Sequence, residues 1–297
     1  MKRISLIFLL ALFISFSGCE KDISITPPEL APKLVVDAQI ENGLQPVVVL
    51  SNSLNYFSTI DTAELYGSFV KNARVTINDG TKTSQMKFFE VSFPGGFRYF
   101  FYTNDPARPA DAIIGAFGKT YQLTIEVNGS TYKSTTQIPL LTKTIDSLWY
   151  KPVPNRPLTD SFAVLSAKLT DPPGLGNYIR YFTKVNSQDY LPGYSSVFDD
   201  NVIDGKTYSI DIPRGANKNQ VIDRANFGFF KKGDTITVKY SNITKATYDF
   251  WRTWEYTYQS IGNPFSSPGV VTGNISDGAL GAFCGYASQI KRIVIPK

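Results

Sequence analysis

Histidine does not occur in the 297 residues, and cysteine occurs only twice, as Cys19 and Cys284. The first absence removes the Ser-His-Asp triad, the Cys-His pair and every histidine-bearing zinc site. The second removes a disulfide framework, because Cys19 has another use, argued below. Cys284 then has no partner in the chain, and the fold must stand on its core. Cys284 lies among small and aromatic residues in Gly281-Ala282-Phe283-Cys284-Gly285-Tyr286. That setting suits a buried thiol acting as a small hydrophobe, and no base is at hand to activate it. Charge is also modest: Asp, Glu, Lys and Arg make up 19% of the chain, with a formal net charge of +5, too mild to argue for a nucleic-acid partner. A membrane-spanning helix needs about 20 apolar residues to cross roughly 30 Å of hydrocarbon. The apolar run from Ile4 to Phe16, broken only by Ser5 and Ser15, is too short. Carboxylate dyads, Ser-Lys pairs and calcium sites stay open.

What is present begins at the N-terminus. Lys2 and Arg3 are the only charges before Glu20, and they form the positive start of an export signal whose apolar core is Ile4 to Phe16. Phe16-Ser17-Gly18-Cys19 resembles a lipobox, with Phe16 where leucine is commonest and small residues before the cysteine. The expectation is a lipoprotein signal peptide over 1–18 and a lipid-bearing Cys19. Loss of Lys2 and Arg3 then takes the charge from +5 to +3. Residues 19–32 carry Glu20-Lys21-Asp22 and then Pro27, Pro28 and Pro32, a stiff extended tether. Acidic residues directly after a lipidated cysteine are similar to the surface-export signal of Bacteroidota lipoproteins. The expected location is the outer membrane, lipid-anchored and facing the cell surface, with a periplasm-facing anchor as the alternative.

The body is rich in strand signals, with aromatics at 14% and frequent Thr, Val and Ile. Over 33–140 about seven short alternating segments are separated by turn residues. They include Leu34–Ile40, Pro46–Leu50, Ala73–Ile77, Met86–Val91, Phe97–Tyr102 and Thr120–Val127, the last followed by the hairpin dipeptide Asn128-Gly129. This predicts an immunoglobulin-like or transthyretin-like β-sandwich. Residues 141–297 read as a second β-rich domain, and one helix stands out there. Residues 244–261 contain neither Gly nor Pro, Asn242 or Thr244 is placed to cap it, and Trp251, Trp254, Tyr258 and Ile261 share one face. That stripe predicts packing across a sheet, with an exposed aromatic binding face as the alternative.

Few residues point to chemistry. Asp199, Asp200 and Asp204, with Asn201 and Gly205, form an oxygen-rich cluster of the kind calcium favours, although EF-hand spacing is lacking and a solvated turn is the plainer reading. Asp160 and Asp171 flank a strand without defining a carboxylate pair. The stretch from Asn263 to Gly278 is no phosphate loop, lacking the G-K-[ST] ending. The tyrosines from Tyr190 to Tyr194 suit either a glycan- or protein-contacting loop or the core. No catalytic residue and no cofactor is expected.

An ordered set of segments runs through the chain: Cys19-Glu20-Lys21-Asp22-Ile23, Lys33 to Gly43, Val47 to Leu50, Asp171 to Tyr178, Lys231 to Asp234, Gly262 to Pro268, and Gly281 to Tyr286. Together they resemble the domain-of-unknown-function family DUF4249 over essentially the whole mature chain. The resemblance implies a Bacteroidota lipoprotein, often encoded beside a TonB-dependent outer-membrane transporter, and carries over no catalytic residues. It also implies possible O-glycans on Asp-Ser/Thr-aliphatic tripeptides, which makes Thr62, Ser147 and Thr235 candidates. Three functions follow as expectations: an accessory binding partner of a transporter barrel, favoured; a structural or adhesive surface protein; and a carboxylate-dependent glycan-active enzyme.

Overall fold

Alternation along the chain sets which side chain faces which layer. The computed structural model describes residues 31–54, 60–223, 225–263, 267 and 269–297. The expected export signal, Cys19, most of the tether, Tyr56 and Phe57 lie outside the described residues. In chain order the elements are β1 (Leu34–Glu41), β2 (Val47–Asn52), α1 (Thr62–Ser68), β3 (Arg74–Asn78), β4 (Thr83–Gln85), β5 (Lys87–Ser92), β6 (Arg98–Thr103), β7 (Thr120–Val127) and β8 (Ser130–Gln137). There follow β9 (Thr144–Pro152), β10 (Phe162–Thr170), β11 (Tyr178–Val185), β12 (Leu191–Phe198), β13 (Thr207–Asp211), β14 (Phe230–Lys231), β15 (Thr235–Ile243), α2 (Lys245–Ser260) and β16 (Leu280–Val294). The protein is mostly β, as the sequence predicts.

A large sheet runs β12-β11-β15-β16-β1-β2-β6-β5, and two four-stranded sheets accompany it, β4-β3-β7-β8 and β13-β10-β14 with β9 on β10. At the centre of the large sheet β1 and β16 pair in parallel, Asp37 opposite Ala282 and Ala38 opposite Phe283. The first and last strands therefore lie side by side. Two glycines of β16 permit close approach: a Cβ on Gly281 would collide with the Val36 carbonyl oxygen, and one on Gly285 with that of Gln137.

One face of the large sheet carries two cores. Val36, Ala38, Ile40, Val48, Leu50 and Phe283 meet Val75, Ile77, Tyr121, Leu123 and Ile125 of the first small sheet. Ile179, Tyr181, Ile236, Val238 and Tyr240 meet Ala163, Leu165 and Leu169 of the second. Such face-to-face burial of fully covered aliphatics contributes about 1.5–3 kcal/mol per side chain and makes a β-sandwich. Residue 140 falls between β8 and β9, where the chain passes from the first core to the second. The Asn128-Gly129 turn has φ of 50° and 77°, the mirror-image hairpin turn that its sequence predicts.

The other face of the sheet is covered in part by α2. Thr244 caps it, its side chain accepting from the Thr247 N–H, and Tyr248, Phe250 and Trp251 pack with Tyr178, Val197, Ala282, Cys284 and Tyr286. Of the predicted stripe, Trp251 packs on the sheet, Trp254 and Tyr258 stack on each other and surround Lys218 of a loop, and Ile261 lies past the helix end and is 71% exposed. Among the described residues no helix is long and apolar enough to cross a membrane.

Candidate functional site

The helix-side face of the large sheet gathers most of the unusual chemistry. β11 alternates, so Arg180 leaves the core that Ile179 and Tyr181 enter and turns toward α2. It is 4% exposed. Its Nε donates to Ser196 Oγ at 3.1 Å and its Nη1 to Tyr286 Oη at 3.1 Å. The guanidinium lies over the Trp251 ring, 3.4 Å from the centroid, and 4.7 Å from that of Phe182. Trp251 Nε1 donates to the same Tyr286 oxygen at 2.8 Å. Burial, ahead of the counteracting Arg180 charge, pushes the Tyr286 hydroxyl well above its ordinary range.

Glu255 of α2 is the acid of this cluster. It accepts from Ser196 N–H at 3.0 Å and from Ser196 Oγ at 2.5 Å, so a serine hydroxyl bridges Arg180 to the carboxylate. Lys218 approaches the same carboxylate, its Nζ 3.8 Å from Oε1, and its side chain is only 8% exposed. Three rings surround that ammonium: Trp254 at 4.8 Å, Tyr258 at 5.5 Å and Tyr194 at 5.8 Å from centroid to Nζ. Burial lowers the Lys218 pKa; Glu255 works against that and Arg180 with it. Two buried cations thus stand against one carboxylate. Beyond α2, Asp37 of β1 is solvent-accessible on the same sheet face, yet the protein around it pushes its carboxyl above the usual range, with Arg180 acting in the opposite sense.

Past Asp37 the sheet carries aromatics into solvent. Phe89 and Phe101 stack at 5.7 Å, Tyr99 and Phe101 at 5.4 Å, and Phe93 meets Phe97 at 6.0 Å. Val91 is 39% exposed, Phe93 48%, Phe97 54% and Tyr99 36%. They belong to the β5–β6 hairpin, and β5 is the edge of the large sheet. Exposed contiguous apolar surface on an open sheet edge is what a partner strand or surface uses.

The residues singled out from sequence divide as follows. Asp200 and Asp204 do come together, and Asp171 joins them, the three offering carboxylate oxygens within 4.8 Å of one another. Asp199 turns away to accept from Tyr248 Oη at 2.9 Å. Each of the three clustered acids is already engaged. Asp200 accepts from Gly176 N, Asn177 N and Asn177 Nδ2; Asp204 accepts from Gly174 N; and Asp171 accepts from Gly205 N. Asp171 also meets Lys143 Nζ at 2.5 Å, with both side chains all but fully buried. The Lys143 ammonium balances the charge of Asp171, and the bonds from Gly174, Gly176 and Asn177 tie Asp200 and Asp204 to the Asp171–Asn177 loop. Of the O-glycan candidates, Thr62 and Ser147 are exposed and Thr235 is half-buried. Cys284 is buried, and that burial pushes its thiol up to about 11.

Sequence reasoning missed Arg180, Lys218, Glu255, Ser196, Asp37 and Lys143. One signal was available for Glu255: it sits four residues after Trp251 and three before Tyr258, so a carboxylate interrupts the apolar stripe.

Fold and site together define a β-sandwich protein with one long aromatic helix laid on its main sheet. The chain belongs to the family described as Domain of unknown function (DUF4249), whose model matches residues 20–292. No curated protein matches the chain.

Proposed function

We propose that this protein is a lipid-anchored binding protein of the outer-membrane surface, non-catalytic, and the accessory partner of a TonB-dependent transporter. The observation that carries the reading is the solvent-facing aromatic strip of the β5–β6 hairpin at the open edge of the main sheet. Rigid rings give contact area at low entropic cost, and a free edge supplies backbone donors and acceptors to a partner. The lipobox-like Phe16-Ser17-Gly18-Cys19 and the proline-bearing tether that follows it supply the anchor. A non-catalytic role is supported by the chemistry of the described residues: Cys284 is too buried and too weakly acidic to serve as a nucleophile, and the buried acids Glu255 and Asp171 are engaged by hydrogen bonds or ion pairs.

The test is affinity purification of the tagged protein from detergent-solubilised membranes of its own host. A TonB-dependent barrel co-purifies with the wild type, and the double substitution Phe97→Asp, Tyr99→Asp abolishes that while leaving membrane attachment intact. A protein that always runs alone sinks the proposal. Cys19→Ser moves the protein out of the membrane fraction; retention there refutes the anchor.

A further inference from the structure

Lys218 is the one described ammonium buried without any hydrogen-bond acceptor. Glu255, at 3.8 Å, is too far to accept a hydrogen bond and already receives two from Ser196. A lysine ammonium has three donors, and burying such a group unpaired costs free energy that a native site does not normally bear without a use. The rings around Lys218 offset part of that cost through cation–π attraction, but rings accept no N–H bond of ordinary strength. The arrangement is held deliberately in place, since Tyr258 Oη donates to the Lys218 backbone carbonyl.

Lys218 also lines a cleft. With Tyr194, Ile222, Phe227 and Tyr258 it bounds a space of about 430 Å³, within the size range of small-molecule sites. The cleft shares Gln220, Val221, Ile222 and Phe227 with a neighbouring one of about 620 Å³. Its walls are mostly aromatic and aliphatic, with Gln220 and Lys218 as the polar residues among them. The charge balance points the same way: Arg180 and Lys218 face a single buried carboxylate, and Arg180 already has Ser196 and Tyr286.

We propose that this cleft binds a small organic carboxylate with an aromatic or branched apolar body. The Lys218 ammonium lies covered among Tyr194, Trp254 and Tyr258, so on binding its side chain turns toward the cleft to meet the carboxylate oxygens, while the body lies against Tyr194, Phe227 and Tyr258. This goes beyond the transporter reading and does not need it, because the site lies within one chain.

The experiment is calorimetric titration of the full-length protein in detergent with sodium benzoate, benzamide and inorganic phosphate. Benzoate binds saturably. Benzamide, the same body without the charge, binds about tenfold or more weakly, as does benzoate to Lys218→Met, in keeping with loss of a charge-assisted hydrogen bond. Phosphate, the charge without the body, binds more weakly than benzoate. Ile222→Trp fills the cleft from a surface loop and abolishes binding; it keeps the test intact if Lys218→Met does not fold. The proposal is overturned if the wild type shows no saturable benzoate binding, if benzamide or phosphate matches benzoate, or if folded Lys218→Met or Ile222→Trp binds benzoate like the wild type.

Discussion

Arg180 and Trp251 are stacked in the interior, guanidinium to ring centroid 3.4 Å, with a shared acceptor in Tyr286 Oη. The pair joins β11 to α2 through a planar cation, and the Ser196 bridge to Glu255 completes its charge compensation. A planar, multi-donor group is required there, because an ammonium cannot stack and also serve Ser196 and Tyr286 in the same plane.

Arg180→Lys is accordingly not conservative. It is expected to destabilise the fold by about 3 kcal/mol, the scale of a lost charge-assisted hydrogen bond with added loss of packing. Urea unfolding followed by tryptophan fluorescence reads this directly. A loss below about 0.5 kcal/mol, the scatter of ordinary surface substitutions, means the stack is incidental.

Cys284 gives a second expectation. Its thiol is buried beneath α2 and burial raises its pKa to about 11, so at pH 8 it is neither exposed nor ionised, and the thiolate is the reactive form. In a Cys19→Ser variant, thiol titration with a disulfide reagent at pH 8 finds no reactive group in the folded protein and one after denaturation. Rapid modification of the folded protein contradicts the packing described.

How far the sequence discloses this fold depends on the range of each interaction. The Asn128-Gly129 hairpin and helix α2 are legible because their causes are local: a turn that needs positive φ, a cap at Thr244, and no helix breaker before Gly262. β16 is not, because Gly281 and Gly285 within it look like loop residues until Val36 and Gln137 are seen to press against them. Its parallel pairing with β1 joins residues more than 200 positions apart, and no local signal encodes that. The charged cluster fails to show for the same reason. Arg180, Lys218 and Glu255 come from a strand, a loop and a helix, and each looks like an ordinary surface charge in its own neighbourhood.

Lys143 and Asp171 illustrate the same point and yield a third expectation. Asp171 opens a Pro-Pro-Gly turn and looks solvent-bound, yet its carboxylate is 2.5 Å from Lys143 Nζ in a fully buried pair. Breaking such a pair from one side leaves an uncompensated buried charge and costs about 3–5 kcal/mol. Lys143→Met is expected to fall in that range. The double substitution Lys143→Met, Asp171→Leu recovers a large part of the loss, since two apolar groups restore neutrality. Chemical denaturation of the four species gives the coupling. Strictly additive losses mean the two residues do not act as a pair. The same geometry predicts that millimolar calcium leaves the melting temperature unchanged, because Lys143 already neutralises Asp171 and the other two acids of the cluster, Asp200 and Asp204, accept hydrogen bonds from the neighbouring loop.

The acid limb of stability is set in part by Asp79, in the β3–β4 turn. Its carboxylate accepts from Thr81 Oγ1 at 2.6 Å, from the Thr81 and Lys82 N–H groups at 2.9 Å each, and from Lys119 Nζ at 3.2 Å. The Thr81 hydroxyl bond leads in holding its pKa far below the ordinary value of 3.8, with partial burial opposing and the backbone and Lys119 bonds adding. A pKa lower in the folded state than in the unfolded one means that the ionised form is the one the fold prefers. The stabilisation is therefore complete above the unfolded-state value, near pH 4, and is lost as pH falls through the lower folded-state value. Asp79→Asn cannot reproduce a charged acceptor of four donors, so it is less stable than the wild type at pH 7. The difference narrows steadily as the pH is lowered below about 4, where the wild-type unfolded chain begins to take up the proton that the folded chain refuses. Melting temperatures of both proteins from pH 7 to pH 2 provide the check. A gap that stays constant or widens toward low pH assigns the stabilisation to something other than the ionised carboxylate.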